Sequence, residues 1–338
     1  KYYYLFPVLL YLPALSNFFS GDDWFHLRLT QIDSFQQFFN FFSFSQNQET
    51  ASFYRPLSTQ VFFFLFQKLF GLTAWPYYLF GLILFAYILY LIKKLSEVYL
   101  SSTTYHLRST IYHLPSIIYG LSVSNFTRVY FLSAYQELFL VTFSLLTLIN
   151  YKVKPKLSLL FFILALMSKE TAIVLPALIL LLNYKYIKNN FQSLRFTIYS
   201  ATILSVVYLN YRLLHFGLAT GDSYLWNFSP TKMVNTLGWY TAWSFGAPEL
   251  LVDYVGSGLR LIPRFFIDYL YWWPIIVFPL LILLIGTLVA FLFNLYRHRE
   301  ETKSLWRSPA RGLLQYFVIR NDSVGKFALF FVISLLPV

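Results

Sequence analysis

Apolar runs of bilayer-spanning length follow one another through most of this chain, and the breaks between them are short and carry Lys or Arg. Backbone amides and carbonyls in hydrocarbon must find partners within their own segment, so a chain patterned this way is driven towards helices. Hydrophobic residues fill 58% of the 338 positions and charged residues 12%, about half the charged share of an ordinary soluble domain. The expectation is an all-α integral membrane protein, a multi-pass transmembrane helical bundle. The net charge of +12 would suit nucleic acid, but the basic residues sit between apolar runs as they do in cytoplasmic loops, so membrane lipids and no nucleic acid are the expected partners.

Orientation follows from the same asymmetry. The run from Tyr2 to Phe19 is broken only by Pro7 and Pro13, and Lys1 at its start places that end inside. Residues 20–74 then form an outer loop with short helices lying in the interface, among them Ser58 to Phe70, which is about 20 Å long as a helix and too short to cross. Laying that segment flat keeps every later basic cluster inside. The crossings are then Trp75 to Ile92, Ile111 to Phe126, about Val129 to Asn150, Leu157 to Met167, Thr171 to Tyr184 and Phe196 to His215. Residues 216–268 make a second outer segment, Tyr269 to Tyr296 returns to Arg297, His298 and Arg299, and Lys326 to Val338 starts another crossing. The whole of 1–338 reads as one transmembrane domain, and Lys1 and Val338 read as cuts in a longer protein. A prokaryotic cell membrane is the expected location.

With no cysteine and no paired histidine spacing, chemistry must come from carboxylates, Lys, Arg and Tyr. Ser20-Gly21-Asp22-Asp23-Trp24-Phe25-His26 places two adjacent acids where the first apolar run gives out, at the outer face. One reading is a helix cap with an acidic first turn. The other is a division of labour, one carboxylate taking a proton from a hydroxyl while the other holds a divalent metal (Mg or Mn) or orients a substrate. Arg55 precedes Pro56 at the head of the flat helix and is a fixed cation, or a headgroup contact. Lys169 and Glu170 sit between two segments too short to span about 30 Å, which sinks them below the outer surface into a protein-lined cavity. Ionisable groups at that depth are functional sites by default, with a structural ion pair as the alternative. Ser133-Ala134-Tyr135-Gln136 fits a capping box, leaving Glu137 in an ordinary first helical turn near the surface.

Together these residues resemble a known family. An acidic pair after the first crossing, Tyr54-Arg55-Pro56-Leu57 opening a flat helix that ends Leu69-Phe70-Gly71, Glu137-Leu138 heading a crossing, and Ser168-Lys169-Glu170-Thr171-Ala172-Ile173 before Leu175-Pro176 look like the GT-C superfamily of membrane glycosyltransferases. In pattern the nearest group is the protein O-mannosyltransferases with tetratricopeptide repeats and their bacterial relatives, and the match covers roughly Leu15 to Leu182. The positions around Tyr78 and Gly81 depart from that group, and no repeat domain is present, so the acceptor is not implied.

The resemblance implies a GT-C-type bundle that moves a sugar from a polyprenyl-phosphate donor, on the outer face and with inversion, to a hydroxyl on a lipid, glycan or protein acceptor. Asp22 matches the family's catalytic carboxylate, the base, with Asp23 beside it. Arg55 and Lys169, with Glu137 and Glu170 close by, would hold the lipid phosphate as it departs. A transporter or flippase for an anionic substrate is the rival reading, although midplane sites in repeated halves are the usual mark of that class and no repeat is visible here. A catalytically dead scaffold of the same fold is a third.

Overall fold

The computed structural model describes residues 2–44, 53–100, 108–183, 187–217, 229–244, 249–256 and 260–268. Within them every regular element is helical, apart from a two-residue antiparallel pair, β1 (Val255–Gly256) and β2 (Arg260–Leu261). The expected crossings from Tyr269 onward and the basic cluster at Arg297 to Arg299 lie outside the described residues.

The first apolar run is helical but jointed. Tyr3–Leu5 and Leu12–Ser16 are 3-10 turns on either side of α1 (Phe6–Leu10), with Pro7 and Pro13 each at the start of a piece. A proline cannot donate to the turn before it, so each opens a helix rather than continuing one. Next come α2 (Asp22–Leu29) and α3 (Phe35–Asn40), the latter started by a capping box in which Ser34 and Gln37 serve each other's backbone amides. The segment expected to lie flat divides into a π-helical turn, Pro56–Val61, and α4 (Phe62–Phe70), which Gly71 ends at a positive φ of 58°.

Three long helices make the frame: α5 (Trp75–Leu100), α8 (Tyr135–Asn150) and α11 (Ile187–Phe216). Two stretches, Trp75–Val98 and Leu132–Asn150, are long and apolar enough to cross a membrane, while Tyr3–Ser16, Pro155–Leu166 and Glu170–Asn183 are shorter apolar helices. Between them run α6 (Arg108–Leu121), α7 (Asn125–Tyr130), α9 (Pro155–Leu166) and α10 (Leu175–Asn183). Helix α8 packs against both α5 and α9, α6 lies on α5, and α11 lies on α9. The core is their shared seam, with Phe85, Ile88 and Leu89 of α5, Leu138, Val141 and Leu145 of α8, and Phe162 and Ala165 of α9 all closed to solvent. Gly81 lets α5 and α8 approach closely, since a Cβ there would run into the ring and hydroxyl of Tyr135.

The segment expected as one crossing from about Val129 is broken at its head. Helix α7 stops at Tyr130, Phe131 is extended, and Leu132–Ala134 is a 3-10 turn before α8 begins. Residues 216–268, expected as a second outer segment, include α12 (Pro230–Ser244), a 3-10 turn at Glu249–Tyr254, the β pair and α13 (Pro263–Asp268).

Candidate active site

Gly21 sets the first acids. It precedes α2 at φ 51° and ψ −123°, a backbone region open to glycine and costly for other residues, and so turns the chain sharply enough to present Asp22 and Asp23 as the first helical turn. The two side chains then part. Asp22 is exposed, whereas Asp23 is closed to solvent and accepts the Ser20 amide at Oδ2 (3.0 Å) and the Ser133 amide at Oδ1 (2.7 Å). Burial raises the Asp23 carboxyl above its ordinary pKa, opposed by these two amides. Of the two roles expected of Asp23, metal holder or orienting partner, these bonds describe the second: both its oxygens face backbone hydrogens inside the protein, and the side chain ties Ser20 to the head of α8.

The same bond corrects the reading of Ser133 and Gln136 as a capping box. Helix α8 has no side-chain cap at Ala134; Ser133 gives its amide to Asp23, and Gln136 turns its carbonyl oxygen to Arg55 Nη1.

Arg55 stands at the head of the π turn, which is fastened to the link after α9. Leu57 donates its amide to the Met167 carbonyl (3.1 Å) and Ser58 its hydroxyl to the Ser168 carbonyl (2.7 Å). With its backbone held there, Arg55 meets Glu170 in a two-pronged pair, Nε to Oε2 at 2.9 Å and Nη2 to Oε1 at 2.6 Å, and its guanidinium lies 4.5 Å from the Phe53 ring centroid. Beside it Lys169 pairs with Glu137 of α8. All four are largely shielded, with side-chain exposures between 13% and 24%. Glu137 is therefore not a surface residue, as the capping-box reading had it, but one half of a shielded pair. Arg55, Glu137, Lys169 and Glu170, widely separated in sequence, come together as two adjacent ion pairs, and the cations that the sequence offers to a phosphate each have a carboxylate already.

Several residues of this region carried no role in the sequence reading. His26 lies one turn after Asp22 on the same helix, its ring 5.1 Å from that of Phe63 and its Nδ1 buried without a hydrogen-bond partner. Burial takes its pKa down to about 4, with Asp22 pulling upward and Arg55 downward, so the imidazole is uncharged at neutral pH and lies within range of both charges. Its i,i+4 spacing from Asp22 was the available signal. Arg212 of α11 places Nη2 4.0 Å from Glu170 Oε1. An arginine within an expected crossing, here in the last turn of Phe196 to His215, is a functional flag in its own right, and that was the signal for it. Among the described residues no group of three His, Asp or Glu side chains gathers as a metal cage. Compared with family models, curated proteins and solved structures, the chain matches none.

Proposed function

We propose that this chain is a multi-pass integral membrane glycosyltransferase that takes a sugar from a polyprenyl-phosphate carrier and gives it to a hydroxyl acceptor at the outer face. The observation that carries the reading is the exposed Asp22 carboxylate on a turn that buried Asp23 fastens in place, with Arg55 close enough to act on the histidine one turn along. The membrane part rests on the two spanning-length helices and on outward faces that stay apolar: Ile83 of α5 is 59% exposed, Leu160 of α9 51% and Ile203 of α11 62%. Apolar side chains facing outward on several helices suit lipid better than water.

In this reading Asp22 accepts the proton of the acceptor hydroxyl as its oxygen attacks the anomeric carbon from the face opposite the phosphate. The bond from that carbon to the phosphate oxygen breaks, its electron pair leaves with the phosphate, and the configuration inverts. The departing anion needs positive charge more than it needs a proton. The cluster supplies it, since Arg55, Lys169 and Arg212 outnumber Glu137 and Glu170.

Asp22→Asn keeps the shape of the turn and removes the base. Transfer from a polyprenyl-phosphate sugar by purified protein should fall about a hundredfold or more while donor binding persists. Near-normal transfer by Asp22→Asn would remove this site from the chemistry and move the transporter reading ahead.

A further inference from the structure

The charge cluster is unevenly satisfied. Arg55 spends its guanidinium on Glu170 and Gln136, and Lys169 is matched by Glu137. Arg212 is not matched: its nearest carboxylate oxygen, Glu170 Oε1, is 4.0 Å away, beyond hydrogen-bond reach, and already accepts a hydrogen bond from Arg55. Its side chain is only 12% exposed, and its Nε is buried without a partner. One turn earlier on the same face of α11 stands Tyr208, 6% exposed, whose hydroxyl is also buried without a partner. Tyr208 is within electrostatic range of Glu170, Arg212 and Arg55. Two idle donors on adjacent turns, next to one surplus positive charge, form an arrangement that lacks acceptor oxygens. Unused buried donors are costly, and an anion with several oxygens would satisfy both.

Aromatic rings close the other side. Tyr54 stacks on Phe44 at 3.9 Å between centroids, and Tyr208 meets Phe44 at 6.2 Å and Tyr54 at 6.1 Å. Rings here keep Tyr208 in place and shut out competing water, which strengthens any charge-assisted bond formed beside them.

We infer that Tyr208 and Arg212 seat the phosphate of the lipid donor, while Arg55 and Lys169 hold Glu170 and Glu137 and build the wall beside it. The assignment rests on the proposed transfer reaction for its ligand, but on the two unpartnered donors for its place. A single phosphate ester offers the oxygens, and the same chemistry exists in inorganic phosphate and in phospholipid headgroups.

Calorimetric binding of a short polyprenyl phosphate to the detergent-purified protein separates these. Arg212→Gln should weaken binding about tenfold or more and Tyr208→Phe by a smaller factor, with Arg212→Lys between wild type and Gln, while the uncharged polyprenol binds wild type and variants alike. Should Arg212→Gln not fold, Tyr208→Phe and Arg212→Lys carry the same comparison. Unchanged phosphate affinity in a folded Arg212→Gln protein, or an equal loss for the uncharged polyprenol, would overturn the seat. Inorganic phosphate binding as tightly as the lipid phosphate, or displacement of the probe by phosphatidylglycerol vesicles, would overturn the donor as its ligand. Arg212-dependent binding in a protein that transfers no sugar would leave the seat standing and sink only the reaction. Asp22-dependent transfer with Arg212-independent binding would do the reverse.

Discussion

The two ends of the α8–α9 pair are both polar and both buried, yet they are built on opposite plans. At the end away from Asp22, neutral groups close on one another. Tyr151 donates to Asn183 Oδ1 at 3.1 Å, Asn183 gives its amide to the Ile179 carbonyl, Ser158 donates to the Thr147 carbonyl and Thr197 to that of Tyr151. At the other end charged groups gather, and polar atoms there are left over: Glu137 Oε2, Tyr208 Oη, Arg212 Nε and His26 Nδ1 are buried without partners. A closed network adds rigidity and asks for nothing more, whereas an open one spends stability to keep donors and acceptors available. The contrast separates a fastening from a site more clearly than residue type does, since Asn, Thr and Tyr are as polar as the groups opposite.

The sharpest way to break the comparison is to show that both ends face the same side. The chain has no cysteine, so single cysteines can be placed at Asp33 and at Val153, both exposed. An impermeant thiol reagent added outside intact cells should label the first fully and the second not at all; labelling of Val153→Cys alone would reverse the orientation.

Next in size is the Arg55–Glu170 pair. Removing one partner, as in Glu170→Leu, leaves a shielded guanidinium unmatched and should cost about 3 kcal/mol in detergent unfolding, with the double variant Arg55→Met/Glu170→Leu regaining much of that. A double variant no better than the single one would mean that the pair matters for something other than charge balance.

At the closed end Tyr151→Phe should cost about 1 kcal/mol, by leaving the Asn183 amide short of a partner, and should leave donor binding unchanged. A change in donor binding would make the two ends one functional unit.

The smallest effect is on acidity. Below pH 6.5 an unfolded histidine takes up a proton that His26 refuses until about pH 4, so this residue removes stability as pH falls across that interval. Asp23 works the other way, because its raised carboxyl lets the folded protein take up a proton first. His26→Phe should therefore flatten the loss of stability between pH 6.5 and 4, and an unaltered slope would show that the imidazole is not buried as described.

Much of the frame could be read from the chain, because apolar length and the position of prolines and glycines are local facts. Trp75 and Asn150 bound helices near where the sequence put them, and Leu157 to Met167 overlaps α9 almost entirely. The site was legible as a set of residues and not as a set of partners. Arg55, Glu137, Lys169 and Glu170 stood out for their depth, but who faces whom depends on how α8, the π turn and α11 meet, and no local pattern states that. Asp22 and Asp23 show the limit best: neighbours of the same type, they are given opposite surroundings by an amide more than a hundred residues away.

That distance bears on the order in which the protein can be made. Asp23 waits for Ser133, Ser58 for Ser168 and Arg55 for Glu170, separations of 110, 110 and 115 residues, while Tyr151 and Asn183 are 32 apart. At roughly 5–20 residues per second, a ribosome that has just finished Arg55 needs several more seconds to supply its carboxylate. The closed end can therefore lock soon after Asn183 and Thr197 emerge, whereas Arg55, made long before its partner, must remain hydrated and unpaired until the chain has passed Glu170. A truncated product that ends before Ser133 would keep helices such as α5 and lose every long-range cross-link that gives Asp22 its setting.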